Sequence, residues 1–173
     1  QRKDVLTRLS VIRARLEGNL NANFDLVRGL AATIATEPEM SLQRFNRLAG
    51  TVLAERQQIR SIAAAPDLVV SMVHPREGNE AALGLDYRQQ PDQRDSVFLA
   101  RDTGRLVVAG PVDLVQGGTG FIGRLPVFNQ TPTGERTFWG IVSTVVDAER
   151  LFRESGLLDP QTDLDISIRS AGG

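Results

Sequence analysis

The chain has 173 residues, 41% hydrophobic and 24% charged, which suits one folded domain plus an extended element and excludes disordered and fibrous classes. A net charge of -1 leaves no surplus of cations for a phosphate backbone, so nucleic acid is not expected as a partner. With no cysteine, disulfides, thiol catalysis and Cys-based zinc sites are ruled out, and with Lys3 as the only lysine, Schiff-base chemistry in the folded part is ruled out too.

Val5, Leu9, Ile12, Leu16, Leu20, Phe24, Val27, Ala31 and Ile34 recur at spacings of three and four, the pattern of one long amphipathic helix. At 1.5 Å per residue it would reach roughly 50 Å, more than a small domain can cover. Its early part, around Leu9, Ile12 and Leu16, is therefore expected to pair with a second copy, making a homodimer. The first residue already falls inside this pattern, and no apolar run of about 18 residues follows. The sequence thus reads as part of a longer protein whose flanks carry membrane anchors.

Thr36, Glu37 and Pro38 break the pattern, and Ser41 reads as the N-cap of a second helix, with Met40 and Phe45 as a hydrophobic staple. That helix should end near Arg56. From Ile59 the period changes to β-rich runs: Ile59 to Ala64, Leu68 to Val73, Leu106 to Val115, Gly120 to Phe128 and Thr137 to Val146. A turn at Ala65 to Asp67 makes the first two a hairpin, and Pro132 with Gly134 joins the last two. Between the second and third runs, a crossover helix should start at Pro91 or Asp92 and stop at Gly104. A last helix is expected from Asp147 to Glu154, then a short strand from Leu164 to Ile168. These elements predict an α+β fold: a long helix and a second helix (1–58) packed on a five-stranded antiparallel sheet (59–173).

No catalytic constellation stands out. Gly118 to Gly123 spell G-x-G-x-x-G, but the motif opens a strand where dinucleotide binding needs a helix. His74 is the only histidine and has no partner for a zinc site. Ser71, Ser96 and Ser143 lie in no nucleophile elbow. Glu77, Glu80, Asp86, Asp92 and Asp95 crowd the crossover, but Arg76, Arg88 and Arg94 are interleaved with them, as on a solvated face. A small hydrolase working through these acids is the weakest of three readings. The other two are a ligand sensor and a ligand-free spacer. No cofactor and no metal is expected.

The stretch from Ile59 to Leu157 resembles a CHASE-type sensor domain. The resemblance rests on His74-Pro75 with Gly78-Asn79-Glu80, on Ala82-Leu83-Gly84-Leu85-Asp86, on Arg94, and on Ala100-Arg101-Asp102-Thr103-Gly104. It continues through Gly110-Pro111-Val112-Asp113, Gly120-Phe121-Ile122-Gly123-Arg124-Leu125-Pro126-Val127-Phe128 and Phe138-Trp139-Gly140. It implies a PAS-like sheet behind a signalling helix, placed outside the inner membrane between two spans, usually as a dimer. It also implies a small molecule held between the sheet and the crossover, with Asp86 and Thr103 on that wall. The segment before His74-Pro75 is much shorter than in plant cytokinin receptors, which implies one PAS-like unit and not two.

The residues themselves are compatible with such a pocket. Gly84, Gly104, Gly110 and Gly123 would let backbone approach a ligand, and Arg94 and Arg124 offer planar donors for a carboxylate or phosphate. Pro126, Phe128 and Trp139 would supply apolar walls, although Phe128 and Trp139 also suit ordinary core packing. For Arg124, a salt bridge to Asp86 or Asp113 competes with ligand capture.

Overall fold

The computed structural model describes residues 1–114 and 117–156. Helix α1 runs from Arg2 to Thr36 and α2 from Leu42 to Glu55. Five strands follow, β1 (Ile59–Pro66), β2 (Met72–His74), β3 (Val107–Asp113), β4 (Thr119–Gln130) and β5 (Arg136–Asp147). The crossover helix α3 (Pro91–Thr103) lies between β2 and β3, and α4 (Ala148–Glu154) closes the described chain. The fold is α+β, with all five strands antiparallel to their neighbours, as the sequence predicts. The expected strand from Leu164 to Ile168 lies outside the described residues.

Local chemistry sets the element ends. Ser41 caps α2 by accepting from the Arg44 N–H at 3.2 Å, and Met40 and Phe45 are both buried beside it. Pro91 starts α3 where an N–H would be unsatisfied anyway, and Gly104 ends it in the left-handed region at φ 69°. The Asp147 carboxylate caps α4 through the Arg150 N–H.

The second strand is shorter than expected and begins four residues later. Asp67 and Leu68 both take positive φ, which turns the chain out of the ladder. Val70 then bonds to the crossover, its N–H donating to Leu85 and its carbonyl accepting from Gly84. The strand order is β2-β1-β5-β4-β3, so the last strand fills the centre of the sheet.

One face of the sheet takes the N-terminal helices. Phe24, Val27, Leu30 and Ile34 of α1 and Phe45 and Ala49 of α2 share one core with Ile62, Leu125, Val127, Val142 and Val146. Gly123 makes this approach possible, because a Cβ there would run into the ring of Phe24. At full burial each large apolar side chain is worth about 1.5–3 kcal/mol, so this layer is the main cohesive interface.

The first turns of α1 project beyond this core, leaving Val5, Leu6 and Val11 exposed. Ile12, expected on the pairing face, is instead buried, with Gly156 of its own chain close by. Among the described residues no helix is long and apolar enough to cross a membrane.

Candidate functional site

Side chains alternate along β4, so Phe121, Leu125 and Val127 join the α1 core and Arg124 falls on the opposite face. That face is covered by α3 and the crossover. Val97 and Ala100 of α3 pack with Tyr87, Leu68 and Val70 on Ala65 and Ile141. Register places Val107, Arg124, Ser143 and Ala63 in one row across β3, β4, β5 and β1.

Arg124 is the polar centre of this layer and only 3% exposed. Its Nη1 donates to Ser143 Oγ at 2.7 Å and its Nη2 to Gln93 Oε1 of α3, also at 2.7 Å. The Tyr87 hydroxyl is 2.9 Å from the same Ser143 oxygen, and the guanidinium carbon lies 4.9 Å from the Tyr87 ring centre. Among the described residues the buried Nε–H has no hydrogen-bond partner. Burial lowers the Arg124 pKa and Tyr87 offsets part of that effect, but a guanidinium stays charged in a protein. The buried cation is thus held by neutral groups, and neither aspartate considered as a salt-bridge partner takes that role. Asp86 accepts from the backbone N–H and Nε of Arg88 at 3.0 and 2.9 Å, which lowers its pKa, and Asp113 is exposed on β3.

The other expected site residues do not converge with Arg124. Pro126 lies two positions along the same strand and is paired with Ile141. Arg94 is half-exposed on α3, 3.7 Å from Asp95. Thr103 is exposed at the end of α3, its hydroxyl donating to the Leu99 carbonyl at 2.6 Å. Gly110 packs on its own sheet, where a Cβ would sit 2.8 Å from the Gly120 carbonyl, and so serves a close backbone approach within the ladder. Gly123 likewise faces Phe24 and not the crossover. Phe128 stacks edge-on against Phe138 at 5.5 Å under the Arg136 guanidinium. Trp139 donates its indole N–H to the Pro38 carbonyl at 2.9 Å, which ties the sheet to the helical layer.

Two groups of residues escaped sequence reading. Tyr87, Gln93 and Ser143 complete the Arg124 cluster, but they come from three separate segments with no shared motif. The second group lies where α1 meets α4. Buried Asn23 donates to Gln58 at 2.9 Å and accepts from Arg56 Nε at 3.0 Å. Gln58 donates to Glu154 at 2.6 Å, Arg150 reaches the other oxygen of Glu154 at 2.7 Å, and Asn19 donates to buried Ser155 at 3.0 Å. This polar lattice joins the first helix to the last. The run Asn19, Asn21, Asn23 in an amphipathic helix was its only visible trace.

An antiparallel sheet with a long N-terminal helix on one face and a helical crossover on the other is a PAS- or Cache-like fold. A family-level comparison matches residues 67–172 to the CHASE domain, and the chain belongs to that family. Solved structures share the fold. An extracellular ligand binding receptor from Desulfohalobium retbaense aligns with a TM-score of 0.60 at 18% identity, over 84% of this chain and 26% of that one. The ligand-binding domain of the Campylobacter jejuni chemoreceptor Tlp3, in complex with 4-methylisoleucine, gives 0.64 at 14% identity, over 88% and 60%. The sensor domain of the V. cholerae histidine kinase DctB gives 0.56 at 12%, over 88% and 60%. The chain thus spans between 26% and 60% of the lengths of these structures. The search of curated proteins found no match.

Proposed function

We propose that this domain binds a small molecule between the sheet and α3, as the periplasmic part of an inner-membrane receptor with a histidine kinase or cyclic-di-nucleotide output. The observation that carries the reading is the charged Arg124 buried beneath α3 among neutral partners. Retaining such a group costs stability, and ligand capture is a function that repays it. Arg124 and Pro126 would form the floor, with Asp86, Arg94, Thr103, Gly110 and Phe128 on the elements around it. Trp139, bonded to Pro38, would relay sheet movement to the helices.

In this reading residues 59–173 bind and residues 1–58 transmit. The lattice of Asn23, Gln58 and Glu154 then couples α1 to α4, and a ligand need bias two helix arrangements by only about 1–3 kcal/mol to change output several-fold. The exposed stripe of Leu6, Ser10 and Val11 would pair with the same stripe of a second copy.

Thermal unfolding of the 173-residue chain against a broad metabolite library tests the binding, with stabilisation by at least one compound as the expected result. Stabilisation by none would favour a ligand-free spacer, the second reading, which the close packing of α3 over Arg124 supports. Sedimentation of the chain and of its Leu6→Asp, Val11→Asp variant tests the pairing. A wild-type monomer at micromolar concentration would end that part of the proposal.

A further inference from the structure

We infer that the ligand is a small organic monoanion whose carboxylate binds the Nε and Nη2 edge of Arg124 in exchange for Gln93. The inference rests on the sensing reading above and adds the chemical class and the local event.

The geometry of the guanidinium carries it. Nε–H and one Nη2–H point the same way, forming the edge that accepts a carboxylate through two parallel bonds. Among the described residues Nε has no partner, and the amide oxygen of Gln93 occupies Nη2 at 2.7 Å. The other arm, Nη1, is anchored on Ser143 and stays available to hold the group in place. Gln93 is thus a single neutral acceptor on an edge whose two donors match the two oxygens of a carboxylate, and charge-assisted bonds are roughly twice as strong as neutral ones.

The surroundings select a single negative charge. Arg88 is engaged by Asp86, and Arg94 is half-exposed beside Asp95. Asp92 and Asp95 stand exposed on the first turns of α3 and would oppose a phosphate dianion. Ala65, Val97, Ala100 and Ile141 make up the apolar core on the same face of the sheet, so a ligand entering beside them would be apolar beyond its carboxylate. Because Gln93 lies in the first turn of α3, its release frees that end of the helix from the sheet, which gives binding a structural consequence.

The test titrates the 173-residue chain with acetate, propionate, isovalerate and benzoate, with the matching neutral amides, and with inorganic phosphate, by calorimetry. The Arg124 Nε–Hε resonance is followed by NMR. At least one carboxylate should bind ten-fold or more tightly than its amide and than phosphate, and should shift the Nε–Hε signal. Arg124→Gln should lose that binding at least ten-fold, Arg124→Lys should keep part of it, and Gln93→Ala should bind several-fold tighter. Since Gln93→Ala retains the cation, it remains informative if the Arg124 variants fold poorly. Equal binding of acid and amide, no movement of the Nε–Hε signal with a bound carboxylate, or Gln93→Ala binding no tighter would each overturn the inference. If a neutral metabolite stabilises the chain while every carboxylate fails, the sensing reading survives and the anion assignment does not. If nothing in either panel or in the metabolite library binds, both fall.

Discussion

Arg124 and Ser143 sit directly opposite each other on β4 and β5, joined by a 2.7 Å hydrogen bond on the face beneath α3. The same Ser143 oxygen meets the Tyr87 hydroxyl at 2.9 Å, so one small residue supports both a cation and a phenol. Ser143→Ala leaves both without that partner and should destabilise the fold by about 1–3 kcal/mol. Tyr87→Phe removes the hydroxyl but leaves the guanidinium bonded to Ser143, and should cost about 0.5–1.5 kcal/mol. Urea unfolding of the two variants checks the order, and a larger loss for Tyr87→Phe would show that the cluster is held together differently.

The lattice between α1 and α4 makes a separate prediction. Asn23 is fully buried and bridges Gln58 and Arg56. Asn23→Ala should cost about 1–3 kcal/mol, because it strands polar groups on both neighbours. A double-mutant cycle with Gln58→Ala should show a coupling of about 0.5–3 kcal/mol. Strict additivity would mean that the two residues act independently.

Gly123 is required by the partner that it faces. A methyl at this position meets the Phe24 ring, so Gly123→Ala should cost about 1–3 kcal/mol through overpacking of the α1 interface. Phe24→Leu should be less damaging in the Gly123→Ala background than in the wild type. Equal damage in both backgrounds would place the strain elsewhere.

Acid should weaken the domain in two stages. Partial burial lowers the pKa of His74, so the folded state favours the neutral ring and the unfolded chain binds more protons. Stability from this group is present above the unfolded value near about 6.5 and is lost as pH falls through the folded value. Bonds from the Arg88 side chain lower the Asp86 pKa, and bonds from Arg150 and Gln58 lower that of Glu154. Their contribution is present above about 4 and is lost at lower pH. Melting temperature should therefore fall from pH 7.5 to 5.5 and again below about 4, and His74→Gln should flatten the first step alone. A melting temperature that rises on acidification would contradict the sign for all three groups.

What could be read from the chain was whatever neighbours in sequence decide. The staple around Ser41, the Gly104 stop and the alternating runs of β4 and β5 depend on contacts a few residues long, so composition and spacing reveal them. Where a long-range contact overrode a local pattern, the reading fell short. Leu68 to Val70 look like strand, but two positive-φ residues and bonds to Leu85 and Gly84 carry that segment into the crossover. Ile12 belongs to a helical stripe that suits a second copy, yet its own chain buries it.

The site divides along the same line. Sequence alone determined that the chain forms a long helix and an antiparallel sheet, that it resembles a sensor, and that Arg124 falls on a β-strand among apolar neighbours. Alternation says that successive side chains point opposite ways, but not which face meets which layer. Only the tertiary structure decided that Arg124 lies under α3 with Gln93, Ser143 and Tyr87, that Gly123 opens toward Phe24, and that Trp139 turns to Pro38. The physical reason is that a buried charge is judged by its surroundings, and these groups, distant in sequence, are adjacent only once the sheet has closed.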